Sequence, residues 1–166
     1  IVASLVGSEM CIRDSPRPDT ELIVEECLKY LPNNKSKKIL DIGTGSGCII
    51  ISILKERSKC IATALDLSNR ALNVAKSNAK LHQLENKINF INIDIDKYKS
   101  YNYDLIISNP PYVNSIELSR LDDDIKLHEP KIALSGGFDG FRDIKKVIVV
   151  SKKLLKLNGK LIIEIG

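Results

Sequence analysis

The sequence predicts an α/β fold, a doubly wound and mostly parallel sheet with helices on both faces. Three observations carry this. Short apolar runs of strand length, at 38–42, 60–66, 87–93, 104–108 and 160–165, alternate with segments of helical periodicity. The first run opens into the glycine loop Gly43-Thr44-Gly45-Ser46-Gly47 and then into an apolar segment of helix length, the strand–loop–helix order of a parallel unit. The polar residues that could carry chemistry, among them Asp66, Asp94 and Asn109, stand at the ends of these runs, where open parallel sheets bind ligands.

Composition narrows the class. The chain has 166 residues, 43% hydrophobic and 28% charged, enough for one domain with a real core. No apolar run is long enough to span a membrane. The net charge of +4 comes from scattered lysines, so direct nucleic-acid binding is not expected. The four cysteines, Cys11, Cys27, Cys48 and Cys60, form no C-x-x-C pair, and there are only two histidines. No metal site is expected, and the thiols read as reduced in a cytoplasmic protein.

Along the chain, residues 1–15 do not fit the α/β pattern and resemble translated adapter sequence; they read as a non-native or atypical leader. Pro16-Arg17-Pro18-Asp19-Thr20 is a stiff lead-in, with Asp19 or Thr20 expected to cap the helix that follows. In that helix Val24, Cys27, Leu28 and Leu31 recur at helical spacing, and Pro32 ends it. The 48–54 segment reads as a buried helix closed by Lys55-Glu56-Arg57. Ser68 is placed to cap a third helix, with Ala71, Leu72, Ala75 and Ala79 on one face. The irregular stretch 113–140 is too long for a simple connection and reads as functional. Phe141, Ile144, Val147, Ile148, Leu154 and Leu155 mark a last helix, which Asn158-Gly159 is expected to terminate before the fifth strand.

The glycine loop has the spacing G-x-G-x-G, and Cys48 stands where a dinucleotide-binding loop would have its third glycine. Gly43 and Gly45 accept positive φ and let a ligand approach the backbone. Asp66 follows about twenty residues on, where an acid binds ribose hydroxyls. With Asp41 just before the loop, ready to face an ammonium group, the set fits the nucleoside end of an S-adenosylmethionine site. A tight turn with solvated acids is the plainer alternative.

Asn109-Pro110-Pro111-Tyr112 closes the fourth strand. The two prolines hold Asn109 and Pro110 out of helical geometry. The Asn109 side-chain oxygen and the Pro110 carbonyl can converge on one NH2 group, and Tyr112 can cover a flat group beside it. This suits an amide or a nucleobase; the plainer alternative is a proline-rich turn.

Together these stretches resemble the HemK/PrmC family of protein glutamine N5-methyltransferases. The resemblance covers nearly all of residues 16–166. It is carried by Pro16-Arg17-Pro18-Asp19-Thr20-Glu21, the segment from Asp41 to Gly47, Asp66, Asn109-Pro110-Pro111-Tyr112-Val113, Glu129-Pro130 with Ala133-Leu134, and Gly136-Gly137-Phe138-Asp139-Gly140. It implies a Rossmann-like class I S-adenosylmethionine-dependent methyltransferase fold, here truncated after the fifth strand and without the family's amino-terminal helical domain. It implies that Asp41, Gly43, Thr44, Gly45, Ser46, Gly47, Asp66, Asp94, Ile95 and Asn109 bind S-adenosylmethionine. It implies that Asn109, Pro110, Pro111 and Tyr112 bind a glutamine side chain, with Asn109, Pro110 and Tyr112 in the catalytic role. The expected partner is a peptide-chain release factor, methylated on its Gly-Gly-Gln glutamine by a monomeric enzyme. Two positions depart from the family: Ile95 and His128 stand where relatives often carry an aromatic residue. His128 reads as structural or solvated rather than as a base. The tetrapeptide alone is shared with adenine-N6 methyltransferases of DNA and RNA. That activity is one alternative, and a methyltransferase-like module that binds without turnover is another.

Overall fold

A computed structural model describes residues 18–110 and 142–165. In chain order the elements are α1 (Pro18–Tyr30), β1 (Lys38–Ile42), α2 (Cys48–Glu56), β2 (Ile61–Asp66), α3 (Asn69–Leu81), β3 (Ile88–Asn92), a 3-10 turn (Ile95–Lys97), β4 (Tyr103–Ser108), α4 (Arg142–Leu154) and β5 (Leu155–Ile163). The strands form one sheet in the order β3-β2-β1-β4-β5, and every pairing is parallel. The predicted doubly wound sheet is therefore the one observed. The leader at 1–15, Pro16, Arg17, Pro111, Tyr112, the irregular stretch 113–140 with His128, and Phe141 lie outside the described residues.

Each face of the sheet buries its own apolar layer. On one, Ile39, Ala62, Ala64, Leu105 and Ile107 of the strands meet α1 through Val24 and Cys27, α2 through Ile50 and Leu54, and α3 through Ala79. On the other, Leu40, Leu65 and Ile106 meet Val147 and Leu154 of α4. The central strands are apolar on both sides because both sides are covered, which is why they read as continuous apolar runs.

Two local expectations are corrected. Helix α1 already starts at Pro18, so Asp19 and Thr20 lie inside its first turn and neither precedes it as a cap. Proline's fixed φ suits the first helical position, where its missing N–H costs nothing. The second correction concerns Asn158-Gly159, which does not end a helix. Helix α4 stops at Leu154, and the chain pairs at once, Leu155 with Tyr103. It then bulges and resumes at Lys160 opposite Leu105. Asn158 turns the bulge at φ 65°. A side chain at position 159 would put its Cβ 2.9 Å from the Tyr103 carbonyl oxygen, so only glycine fits there. Leu155 accordingly belongs to β5, and Ile148 stays half-exposed on α4.

A polar clip fastens the amino-terminal end of the sheet. The Asp104 carboxylate accepts from the Lys38 amide at 2.9 Å, the Lys37 ammonium at 2.9 Å and the Lys156 ammonium at 2.8 Å. It joins β1, β4 and the β5 bulge at the end opposite the candidate site.

Candidate functional site

The strand order reverses at β1. The chain leaves β1 through α2 to β2 on one side, while β4 lies on the other. Such a switch point opens a crevice beyond the carboxyl ends of the strands. β1 and β4 pair as far as Ile42 with Ser108, so Gly43 and Asn109 are the next residues on each side of that crevice. The Ser108 hydroxyl donates to the Ile42 carbonyl at 2.8 Å and ties the two strand ends together.

The glycine loop is held by its own backbone. The amides of Gly43 and Thr44 both donate to the Leu65 carbonyl at 2.9 Å, and the Gly47 amide donates to Thr44 at 2.8 Å. Gly43 and Gly45 have φ of 72° and 56°, and a Cβ on either would meet nothing within 4 Å. Backbone conformation, rather than crowding, calls for glycine there, and that side of the loop is open to a ligand. Gly47 caps α2 at φ 81°, packed so close to Ala75 that a Cβ would approach it to 3.1 Å.

Asp66, at the tip of β2, accepts from two amides, Gly45 at 2.9 Å on Oδ2 and Ser68 at 2.8 Å on Oδ1. Asp41 lies behind the loop, 1% exposed, and the Thr44 hydroxyl donates to it at 2.6 Å. Burial pushes the Asp41 carboxyl up to about 7; the Thr44 hydrogen bond pulls the other way, and the charge of Asp66 adds to the rise. Asp94 follows β3, caps the 3-10 turn through the Asp96 amide, and pairs with Lys146 of α4. The hydrogen bond from Lys146, with that from the Asp96 amide, holds the Asp94 carboxyl below its usual range. Ile95 is buried against the α4 side of the core. Asn109 is half-buried and Pro110 buried.

The structure thus brings Asp41, Gly43, Thr44, Gly45, Ser46, Gly47, Asp66, Asp94 and Asn109 to one end of the sheet. Several supporting residues escaped the sequence reading. Asn78 Nδ2 donates to the Ser46 carbonyl at 2.9 Å, linking α3 to the glycine loop. Asn92 Nδ2 donates to the carbonyls of both Asp66 and Leu67 at 2.9 Å. Leu67 is 63% exposed beside Asp66. Asn78 did leave a signal: it sits one turn beyond Ala75, on the apolar face of α3, where a polar side chain needs a partner. Among the described residues no group of His, Cys, Asp or Glu could hold a metal ion.

Residues 20–123 match the family model of the methyltransferase small domain. The chain belongs to the methyltransferase small domain family. It is similar to the release factor glutamine methyltransferase of Clostridium acetobutylicum, 40% identical over 91% of this chain and 54% of the relative. The enzyme of the same name from Caulobacter vibrioides is 36% identical over 92% of this chain and 53% of the relative. The chain spans about half the length of these curated relatives. These likenesses agree with the HemK/PrmC resemblance carried by the sequence motifs. The fold is also that of a solved S-adenosylmethionine-dependent methyltransferase from Thiobacillus denitrificans, described in complex with S-adenosyl-L-homocysteine. The TM-score is 0.58 at 15% identity, over 98% of this chain and 54% of that one. A Rossmann-like class I methyltransferase fold is therefore observed for this methyltransferase small domain.

Proposed function

We propose that residues 16–166 form the catalytic domain of an enzyme that uses S-adenosylmethionine to methylate the side-chain amide nitrogen of glutamine. The acceptor is the Gly-Gly-Gln glutamine of a peptide-chain release factor, and the setting is translation termination in the cytoplasm. One observation carries the reading: the Ile42–Ser108 pairing sets the glycine loop beside Asn109 across the switch point. The names of the relatives support the glutamine acceptor over an adenine. No described helix is long and apolar enough to cross a membrane.

The residues fit the cofactor. The loop is open beside Gly43 and Gly45, Asp66 stands at the strand tip with spare acceptor capacity for ribose hydroxyls, and Asp41, its carboxyl raised to about 7 by burial, is a group that an approaching ammonium would ionise. Asp94 and Ile95 flank the base. When bound, the cofactor supplies an electrophilic methyl group on a sulfonium. The work left to the chain is positioning. Asn109 Oδ1 and the Pro110 carbonyl accept from the glutamine NH2 and aim its nitrogen; the family resemblance assigns Pro111 and Tyr112, outside the described residues, to the same glutamine side chain. These acceptors strengthen as positive charge develops on nitrogen. No general base is needed, because the methylated nitrogen is strongly acidic and gives its proton to water.

With labelled S-adenosylmethionine, the protein is expected to methylate a release factor on its Gly-Gly-Gln peptide and to leave a Gln→Ala acceptor unlabelled. Label in an adenine-containing oligonucleotide, with none in the release factor, would overturn the assignment.

A further inference from the structure

Lys146 belongs to none of the sequence motifs, yet it reaches the site from α4. Its Nζ stands 2.6 Å from Asp94 Oδ1 and 2.8 Å from Asp96 Oδ2. The Asp96 amide donates to the same Asp94 oxygen at 3.1 Å. Two donors therefore converge on Oδ1. Oδ2 has no partner among the described residues, on a side chain 32% exposed. Ile95, between the two acids, is buried in the cluster that holds Val147, the neighbour of Lys146. The turn after β3 is thus fastened to α4 by apolar packing and by charge.

The position of that free oxygen matters. β2 and β3 pair as far as Asp66 with Asn92, and Asp94 lies two residues beyond. A nucleoside whose ribose reaches Asp66, and whose reactive end faces Asn109 on β4, carries its base the other way, over β3. A carboxylate oxygen there accepts hydrogen bonds and repels a carbonyl.

We propose that Lys146 is a positioning residue: by occupying Asp94 Oδ1 it presents Oδ2 to the exocyclic amino group of the base, and so sets a preference for a 6-amino over a 6-oxo purine. The inference rests on the S-adenosylmethionine reading above. Without Lys146 the Asp94 carboxylate keeps only the Asp96 amide on Oδ1, and the oxygen aimed at the base is less firmly fixed.

The test is calorimetric titration of the protein with S-adenosylhomocysteine and with S-inosylhomocysteine, in which a 6-oxo group replaces the 6-amino group and N1 gains a hydrogen. The wild type is expected to favour the adenosyl compound by tenfold or more, the worth of one hydrogen bond to a charged group. Lys146→Met should reduce that ratio about tenfold, and Lys146→Arg should restore most of it. The ratio is the informative readout, because a general loss of structure weakens both ligands alike. Lys146→Gln is judged by the same ratio where the Met variant does not fold. An unchanged ratio in a variant that still binds overturns the role of Lys146 alone. A wild-type protein that binds neither compound overturns the cofactor reading, and this inference with it.

Discussion

Asp41 gives the sharpest prediction, because its burial makes stability depend on pH in an unusual direction. Its carboxyl is 1% exposed, its one described hydrogen bond comes from the Thr44 hydroxyl, and burial lifts its pKa from the ordinary 3.8 to about 7. Between those values the folded protein keeps a proton that the unfolded chain has released. Asp41 therefore lowers stability as pH rises through this window, and its effect is complete above about 7. That rise in pKa corresponds to about 4 kcal/mol at most. Asp41→Asn removes the titration and keeps an oxygen for the Thr44 hydroxyl. Urea unfolding of both proteins from pH 4 to 8 is the assay. The stability of the Asn variant relative to wild type should grow through the window and level off above pH 7. A constant difference across that range would refute the reasoning, since Asp41 would then titrate as a solvated carboxyl does. The same linkage reaches the ligand: an ammonium group beside Asp41 favours its ionised form, so cofactor binding should release a proton near pH 6.

Asp66→Ala should weaken S-adenosylmethionine binding by about 2 kcal/mol, because the ribose acceptor and the Gly45 and Ser68 tethers go together; calorimetry reads this directly, and an unchanged affinity would reject the assignment. Asn109→Ala should slow methyl transfer about a hundredfold or more with little change in cofactor affinity, since one of the two acceptors aiming the amide is lost; near-normal turnover would make the corner a structural turn. Asp104→Ala should destabilise the fold by about 2 kcal/mol, because it unties Lys37, Lys38 and Lys156 at once. Burial raises the Asp104 carboxyl, but the hydrogen bonds from Lys156, Lys38 and Lys37 outweigh it and leave the pKa below its usual value. The Asp104 contribution is therefore present above the ordinary 3.8 and lost as pH falls through the lower folded value, so the unfolding midpoints of mutant and wild type should meet only in strong acid.

The sheet was legible in the sequence because each central strand is buried on both faces and each ends at a glycine, an acid or the Asn109 corner. The apolar run 104–108 and the glycine loop needed no tertiary knowledge. Boundaries that depend on pairing were harder. Asn158-Gly159 has the composition of a helix stop, and only the contact with the Tyr103 carbonyl reveals it as a strand bulge. The motif residues of the site were readable because chemistry restricts their types. Asn92 and Lys146 were not, since each acts on backbone or side chains far away in sequence, and an asparagine at the end of a strand or a lysine on a helix is ordinary by itself. Asp41 was legible as an acid before the loop, but its burial beneath Thr44 was not.

The switch point also orders events in time. Ile42 finds Leu65 soon after it in the chain, across one helix, whereas Ser108 comes 66 residues after Ile42. Closing the longer loop costs more chain entropy and brings no contacts until it is complete. During synthesis β1, α2 and β2 can therefore assemble, with the glycine loop and Asp66 already in contact, while the corner at Asn109 is still unmade. Pulse-labelled amides of β2 should gain protection before those of β4. Simultaneous protection would mean that the two halves of the crevice condense together. A nascent chain caught between the stages would hold a nucleoside half with no acceptor half beside it, and the apolar flank of β1 would await its partner.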